Sequence, residues 1–388
     1  MKIVGIDGGA TKVNGWDVNY NKESGLFSLG DRNVQKKYRE YGDYDPGFVP
    51  VDINIQLEQL KDGIILTEAE KQQGRAYIQA AADVIAELIK DSDEKAYIGF
   101  GMPGLKTADK RGITVLANGP RMPHFVDEIE EILKKRNLQF HPVKHLGSDA
   151  DYCGLGEEYA AEGLFRDVAN AYYLGGGTGV ADAMKLRGEV LPFDKAKEWI
   201  AKTWEMKNDT GLSLERYASA SGIQYIYSRH SGVSVEQLNQ EEIYPPQILH
   251  KAMQGEEAAV LTMQEVGENI AGLLYERIWT IYHGWQGLFD FVNPSKPPLK
   301  NEHPYRGTLL ERIIIGQRLG DLLQESKSTP FLWKKILTVL TGKVMATQDT
   351  GFKEHYLKDD KFDENFILIS KLREAPVLGA AADAYLNL

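Results

Sequence analysis

Cysteine is nearly missing from this 388-residue sequence, which holds only Cys153. No disulfide can close within the chain, no zinc site can be built from cysteine alone, and the scarcity fits a reducing compartment, so cytoplasm is the expected location. Long apolar runs are missing too. No stretch nears the roughly 20 residues that a membrane-spanning helix needs. The opening MKIVGIDGGATK has no charged region leading into an apolar run and a cleavage site, so a secretory signal is not expected. A basic excess is also absent: 45 Lys+Arg stand against 56 Asp+Glu, a formal charge of −11. That balance repels a phosphate backbone unless the basic residues gather on one face, so neither nucleic acid nor a membrane is an expected partner. With 43% hydrophobic and 26% charged residues, wholesale disorder and a collagen-like or disulfide-stapled chain are excluded. The length suggests two or three domains.

What is present is α/β grammar. Residues 2–7, KIVGID, read as a short buried strand closed by Gly8 and Gly9, and the apolar run Val13–Val18 reads as its returning partner. Residues 20–65 are rich in Tyr, Asp and Gly, show weak periodicity and are expected to form irregular or hairpin structure. Ile78, Ala82, Ile85 and Ile89 recur at helical spacing before the strand-like AYIGFG from Ala96. A strand near Ile113–Leu116, a helix from about Val126 and a strand over His141–Leu146 follow. The last leads into Gly147-Ser148-Asp149-Ala150-Asp151 and a small-residue helix to about Gly163. Ala169–Leu174, Gly175-Gly176-Gly177-Thr178-Gly179 and Val180–Leu186 then repeat the opening order of strand, glycine turn and strand. Two similar α/β domains are expected. The second is more helical: Val266, Ile270, Leu273, Leu274, Ile278 and Ile281 trace one helix face ending near Gly284, and 293–304 reads as a surface loop. Strands at Arg312–Ile315 and Asn365–Ser370 and a helix from about Ala375 complete the chain.

Asp7-Gly8-Gly9-Ala10-Thr11-Lys12 sets a carboxylate at a strand end, small residues in the turn, and a hydroxyl and a cation just beyond. Small residues let backbone amides approach phosphate oxygens, Thr11 adds a donor, and Asp7 can hold magnesium directly or through water. A plain glycine hairpin explains the same residues. Gly176, Gly177, Thr178 and Gly179 supply a second turn of the same capacity, and two such turns across a cleft could grip one polyphosphate. Neither turn has the Walker A or dinucleotide-binding spacing. Asp149, after a strand and opening a helix, is the best candidate base for a hydroxyl that attacks a terminal phosphate. A helix-capping role for Asp149 or Asp151 explains the local sequence equally well.

Taken in order, these pieces resemble the ROK (repressor, open reading frame, kinase) sugar kinases of the actin-like ATPase superfamily over nearly the whole chain. GIDGGATK is similar to the first phosphate motif, GMPGLKT and NGPRMP to the sugar loops, and SDADYCGLGE to the catalytic-aspartate helix. LGGGTGVADAM is similar to the second phosphate motif, LERYASASGI to the Leu-Glu-x-Tyr-Ala-Ser segment, IIIGQRLG to the adenosine loop and EAPVLGAAADAYL to the closing helix. The resemblance implies two actin-like (ribonuclease H-like) domains flanking a cleft, one of residues 1–165 plus 374–388 and the other of 166–373. It implies a kinase that uses ATP and Mg2+ on a sugar hydroxyl, with Asp149 as general base. Asp7, Gly8, Gly9, Thr11 and Lys12 become the first phosphate turn and Gly176–Gly179 the second. Gly316 and Gln317 approach the adenosine, Asn118, Ser148, Asp149 and Glu215 the sugar. A homodimer is implied as well.

The departures are specific. Residues 187–214 contain neither His nor Cys, so the family's structural zinc is not expected. The Glu-x-Gly-His sugar contact is missing, and Ser148 stands where Asn usually precedes the catalytic aspartate. DGGATK is also similar to the group that includes N-acetylglucosamine kinases and the activator ATPases of radical dehydratases. One cysteine disfavours the activators, whose subunits each give two to a shared iron–sulfur cluster. An N-acetylhexosamine or non-sugar kinase and a noncatalytic sugar- and ATP-binding regulator are the alternatives. A regulator with an added N-terminal DNA-binding domain is not expected from an acidic chain that opens in the phosphate strand. His124, His141 and His145 are spaced as ordinary hydrogen-bonding histidines, and Trp199, Trp204, Trp279 and Trp285 as core or interface aromatics.

Overall fold

The computed structural model of the protein describes residues 1–387; Leu388, the last residue of the expected closing segment, lies outside them. The chain divides into two compact units, Met1–Gly163 with Glu374–Leu388, and Leu164–Arg373. No helix among the described residues is long and apolar enough to cross a membrane.

The first unit is built on five strands: β1 (Lys2–Gly8), β2 (Lys12–Asn21), β3 (Leu26–Lys37), β4 (Ala96–Gly101) and β5 (Leu146–Gly147), in the order β3-β2-β1-β4-β5. The first three run antiparallel, and β4 and β5 run parallel to β1. The second unit repeats this with β6 (Ala171–Gly176), β7 (Val180–Leu186), β8 (Glu189–Leu191), β9 (Arg312–Gly316) and β10 (Ile367–Ile369), in the order β8-β7-β6-β9-β10 and with the same directions. Both units therefore have the actin-like, ribonuclease H-like arrangement.

Alternation along β1 sends successive residues to opposite faces. Ile6 lies with Val84 and Leu88 of the helix Glu68–Ile89, around the space that a Cβ on Gly15 would fill. This helix starts in a capping box, in which Thr67 accepts the Glu70 amide and Glu70 accepts the Thr67 amide. On the opposite face, Gly5 and Gly99 sit side by side in register and form a floor without side chains. The backbone of the closing helix Ala375–Leu386 rests on it, so a Cβ at Gly99 would stand 1.8 Å from the Ala380 carbonyl oxygen. The same helix crosses the helix Asp149–Tyr159 where Gly156 approaches Ala375 and Gly379 approaches Tyr152.

Three local expectations change. The strand expected over His141–Leu146 has ladder pairing only at Leu146–Gly147, because the segment meets the sheet at its edge. The helix expected to reach Gly163 ends at Tyr159. Residues 20–65, expected to be irregular or hairpin, hold β3, which returns antiparallel on β2, and also a helix, Ile53–Asp62, that weak periodicity hid. In the second unit the long helix Glu257–His283 buries the six expected apolar residues and stops at Gly284, whose φ of 88° ends the helical run. Within its core Arg277 is fully buried. Its guanidinium donates to Glu276 at 2.8 Å, to Thr203 Oγ1 at 3.2 Å and to Asp182 at 3.3 Å. Asp182 also accepts the Thr203 amide and hydroxyl, which ties residues 187–214 to β7.

Candidate active site

In the first unit the parallel register sets Asp7 beside Gly101 and Gly101 beside Gly147, so three strands end level. Ligands of α/β sheets bind at such carboxyl ends. Asp149 follows two residues after Gly147 and opens the helix Asp149–Tyr159. The N-cap is Ser148, whose hydroxyl makes no capping bond, and among the described residues Asp149 accepts only its neighbouring amide, from Ala150 at 3.0 Å. The exposed Asp149 carboxylate is therefore not consumed in capping the helix. Asp7 responds to its surroundings: burial first, then the charges of Asp149 and Glu374, raise its pKa to about 6, against the opposing pull of Lys12. Asp7, Lys12 and Asp149 thus share one electrostatic site.

The two glycine turns are wired alike. In the second, the Gly177 amide donates to the Gly179 carbonyl at 2.8 Å, the Ala220 amide to Gly177 O at 2.9 Å, and Ser221 Oγ to Thr178 O at 3.2 Å. A trans peptide is planar, with its C=O and N–H pointing opposite ways. Tying back the carbonyls of Gly177 and Thr178 therefore turns the amides of Thr178 and Gly179 outward. Among the described residues neither amide has a protein acceptor, and both residues are exposed. In the first turn the Gly9 amide donates to Lys12 O at 2.9 Å, and the carbonyls of Gly9, Ala10 and Thr11 are all held from behind. The amides of Ala10 and Thr11 are left without a protein acceptor among the described residues. A Cβ at Gly9 or Gly177 would meet nothing closer than 3.6 Å or 4.0 Å, so open space lies above each turn. Such a pair of outward amides is an anion-binding nest.

Gly316 pairs in register with Gly175, and Gln317 bridges to Gly176, which sets the expected adenosine loop against the second turn. Gln317 has φ of 59°, and its side-chain amide donates to the Arg373 carbonyl at 3.0 Å. Beside it opens a cavity of about 520 Å³, lined by Gly176, Ala218, Tyr244, Pro245, Arg318 and Leu319 among others. Its size and its mix of apolar walls with a few polar groups suit a small molecule. Tyr244, Pro245 and Arg318 are additions to the expected site. Helical spacing alone does not mark them, and only the approach of the helix Pro245–Met253 to Gly176 could.

Glu215 lies at the second turn, where its carboxylate accepts the Val180 amide at 3.3 Å. Asn118 is an exposed turn residue. Its neighbour Gly119 has a Cβ position 3.3 Å from the Tyr77 hydroxyl, and that hydroxyl donates to Ala10 O at 2.8 Å, so this loop adjoins the first glycine turn. Among the described residues no group of three His, Cys, Asp or Glu could hold a metal. Magnesium needs less: it keeps several waters and takes one or two carboxylates with the phosphates, and Asp7, with Asp149 close enough to shift its pKa, fits. His145 is bonded to Asp383 at 2.7 Å and His141 is stacked on Tyr97. Trp199 stacks on His303 and Trp285 on Phe291.

The repeated sheet defines a two-unit actin-like fold, and this fold is similar to that of solved ROK-family sugar kinases. The fold matches a glucokinase from Parabacteroides distasonis with a TM-score of 0.59 and 16% identity, covering 100% of this chain and 98% of that one. A ROK family glucokinase from Streptomyces griseus, solved with glucose and AMPPNP, matches at TM-score 0.57 and 14% identity over 100% of both chains. A ROK family transcriptional regulator, a homologue of the Escherichia coli MLC protein, matches at 0.51 and 16%, covering 99% of this chain and 78% of that one. No protein-family model matches the chain, and no curated protein matches its sequence.

Proposed function

We propose that the protein is an ATP-dependent carbohydrate kinase. The observation that carries this reading is the paired wiring of the two glycine turns, each with carbonyls tied back and two amides turned outward. The outward amides of each turn are the candidate phosphate donors, and the cavity beside Gly176 takes the adenosine of the nucleotide. Asp7 would hold magnesium, directly or through water, and the ion would supply charge neutralisation on the phosphates. Asp149 accepts the proton of the acceptor hydroxyl as that oxygen forms its bond to the γ-phosphorus, while the bond from the γ-phosphorus to the bridging oxygen breaks and ADP leaves with the electron pair. Lys12 and the outward amides hold the charge that spreads over the transferring group. Asn118, Ser148 and Glu215 are the candidate ligands of the sugar.

The test is ADP release over a panel of hexoses, N-acetylhexosamines and polyols, with Asp149→Asn as control. ADP formation that depends on one sugar class and disappears in the variant supports the reading, and the panel separates hexose from N-acetylhexosamine acceptors. The likeness to a ROK regulator favours one second reading, a noncatalytic sugar- and nucleotide-binding protein. Binding of both ligands without ADP formation from any acceptor would establish it instead.

A further inference from the structure

Two buried tyrosines stand behind the first glycine turn. Tyr38 and Tyr77 are 1% and 3% exposed, and their rings stack with centroids 3.6 Å apart and planes 17° from parallel. Tyr38 follows β3 and Tyr77 lies on the helix Glu68–Ile89, so the pair joins two separate elements beneath one turn. The Tyr38 hydroxyl donates to Gly9 O at 3.0 Å and the Tyr77 hydroxyl to Ala10 O at 2.8 Å, while the Tyr38 amide donates to Thr11 O at 3.2 Å.

We infer that the stacked Tyr38–Tyr77 pair is a positioning device that sets the first turn for phosphate, an inference that rests on the phosphate-binding reading of that turn. The C=O of Gly9 and the N–H of Ala10 belong to one planar peptide, as do the C=O of Ala10 and the N–H of Thr11. Each hydroxyl, by holding a carbonyl inward, fixes the opposite amide outward. The second turn reaches the same state through Ala220 and Ser221, so the outward amides recur while the tethers differ. A hydroxyl suits this task because burial raises both phenol pKa values, and the donors stay protonated at any working pH. Stacking holds each ring where its hydroxyl must be, and the Tyr77 hydroxyl also abuts Gly119, next to Asn118. Preorganised amides bind without reorientation, and a turn that must first rotate its peptides binds more weakly.

The experiment is calorimetric titration of MgAMPPNP into the full chain and into Tyr38→Phe, Tyr77→Phe and Tyr41→Phe. The first two keep the rings and lose the hydroxyls. Tyr41 serves as control, since its hydroxyl bonds to Asp83 at 2.9 Å and none of its bonds reaches the turn. One lost hydrogen bond weakens binding roughly three- to tenfold. The expected result is that loss in Tyr38→Phe and in Tyr77→Phe, with wild-type affinity in Tyr41→Phe at a similar cost in thermal stability. Wild-type affinity in both tyrosine-pair variants, or equal weakening in all three, would overturn the inference while leaving the phosphate turn intact. A wild-type chain that binds no MgAMPPNP would overturn the phosphate reading, and the inference with it.

Discussion

Replacing Asp149 by Asn tests the chemistry and the electrostatics of the site together. The substitution keeps the shape of the side chain and removes its ability to take a proton. General-base catalysis contributes roughly 10²–10⁴ in rate, or about 3–5 kcal/mol of barrier. With the turns untouched, acceptor-dependent ADP formation should fall by that factor while MgAMPPNP affinity at neutral pH stays within about threefold. A second readout is independent of any acceptor. The charge of Asp149 is the second cause, after burial, of the raised Asp7 pKa of about 6. With an uncharged neighbour, Asp7 should titrate lower, between its ordinary 3.8 and 6, as followed by the carboxyl carbon shift in NMR. Turnover within tenfold of wild type would remove Asp149 as the base. An unmoved Asp7 titration would show that the two carboxylates do not share a site.

The raised Asp7 pKa has a stability sign of its own. Protonated Asp7 suits the fold and ionised Asp7 burdens it, so this stabilisation is full below about pH 3.8 and is lost as pH rises through about 6. At 1.36 kcal/mol per unit the loss is at most about 3 kcal/mol, less what solvent reaching this half-buried group screens. Asp7→Asn should therefore gain stability relative to wild type between pH 4 and pH 7 in urea titrations, and a constant difference across that range would contradict it. Arg277→Met strands Asp182 and Glu276 in the core, and breaking such a buried cluster costs about 3–5 kcal/mol. Its urea midpoint should fall accordingly, and a change under 1 kcal/mol would refute the reading of Arg277 as the charge that balances them. Tyr244→Ala removes an aromatic side chain, 43% exposed, from the wall of the 520 Å³ cavity. Nucleotide affinity should drop about tenfold, the scale of one lost stacking contact, with little change in melting temperature. Unchanged affinity would place the base elsewhere.

Each sheet's leading hairpin is legible in the sequence because its strands are short, apolar and closed by glycines. Lys2–Gly8 and Ala171–Gly176 are nearly continuous buried runs, which only a strand covered on both faces produces. The long strand Leu26–Lys37 is not legible, because it forms the sheet edge and buries only Phe27 and Val34. A register shift between Trp16 and Val18 in its partner further blurs the alternation. Leu146–Gly147 escapes for a related reason: two residues of ladder carry no period. Among candidate site residues, those in the glycine turns stand out by composition. Tyr38, Tyr77 and Tyr244 do not, since each acquires its role from an element that folding brings to the turn or the cavity.

The slight sequence likeness between the two turns has a physical explanation in their wiring. What a phosphate requires is a pair of adjacent amides aimed at it, and that is a property of peptide planes rather than of side chains. Any donor that holds the opposing carbonyls produces it. The first turn uses two phenols and an amide from the residue that follows β3, and the second uses the start of the helix Ala220–Ser231. Glycine and small residues recur because the open face must stay clear, while the supporting residues are free to differ. Two copies of one fold can therefore keep a common geometry after their side chains have diverged. The same logic explains why substituting a tether should shift affinity by a few-fold, whereas substituting Asp149 should, on the proposed mechanism, remove the acceptor of the hydroxyl proton.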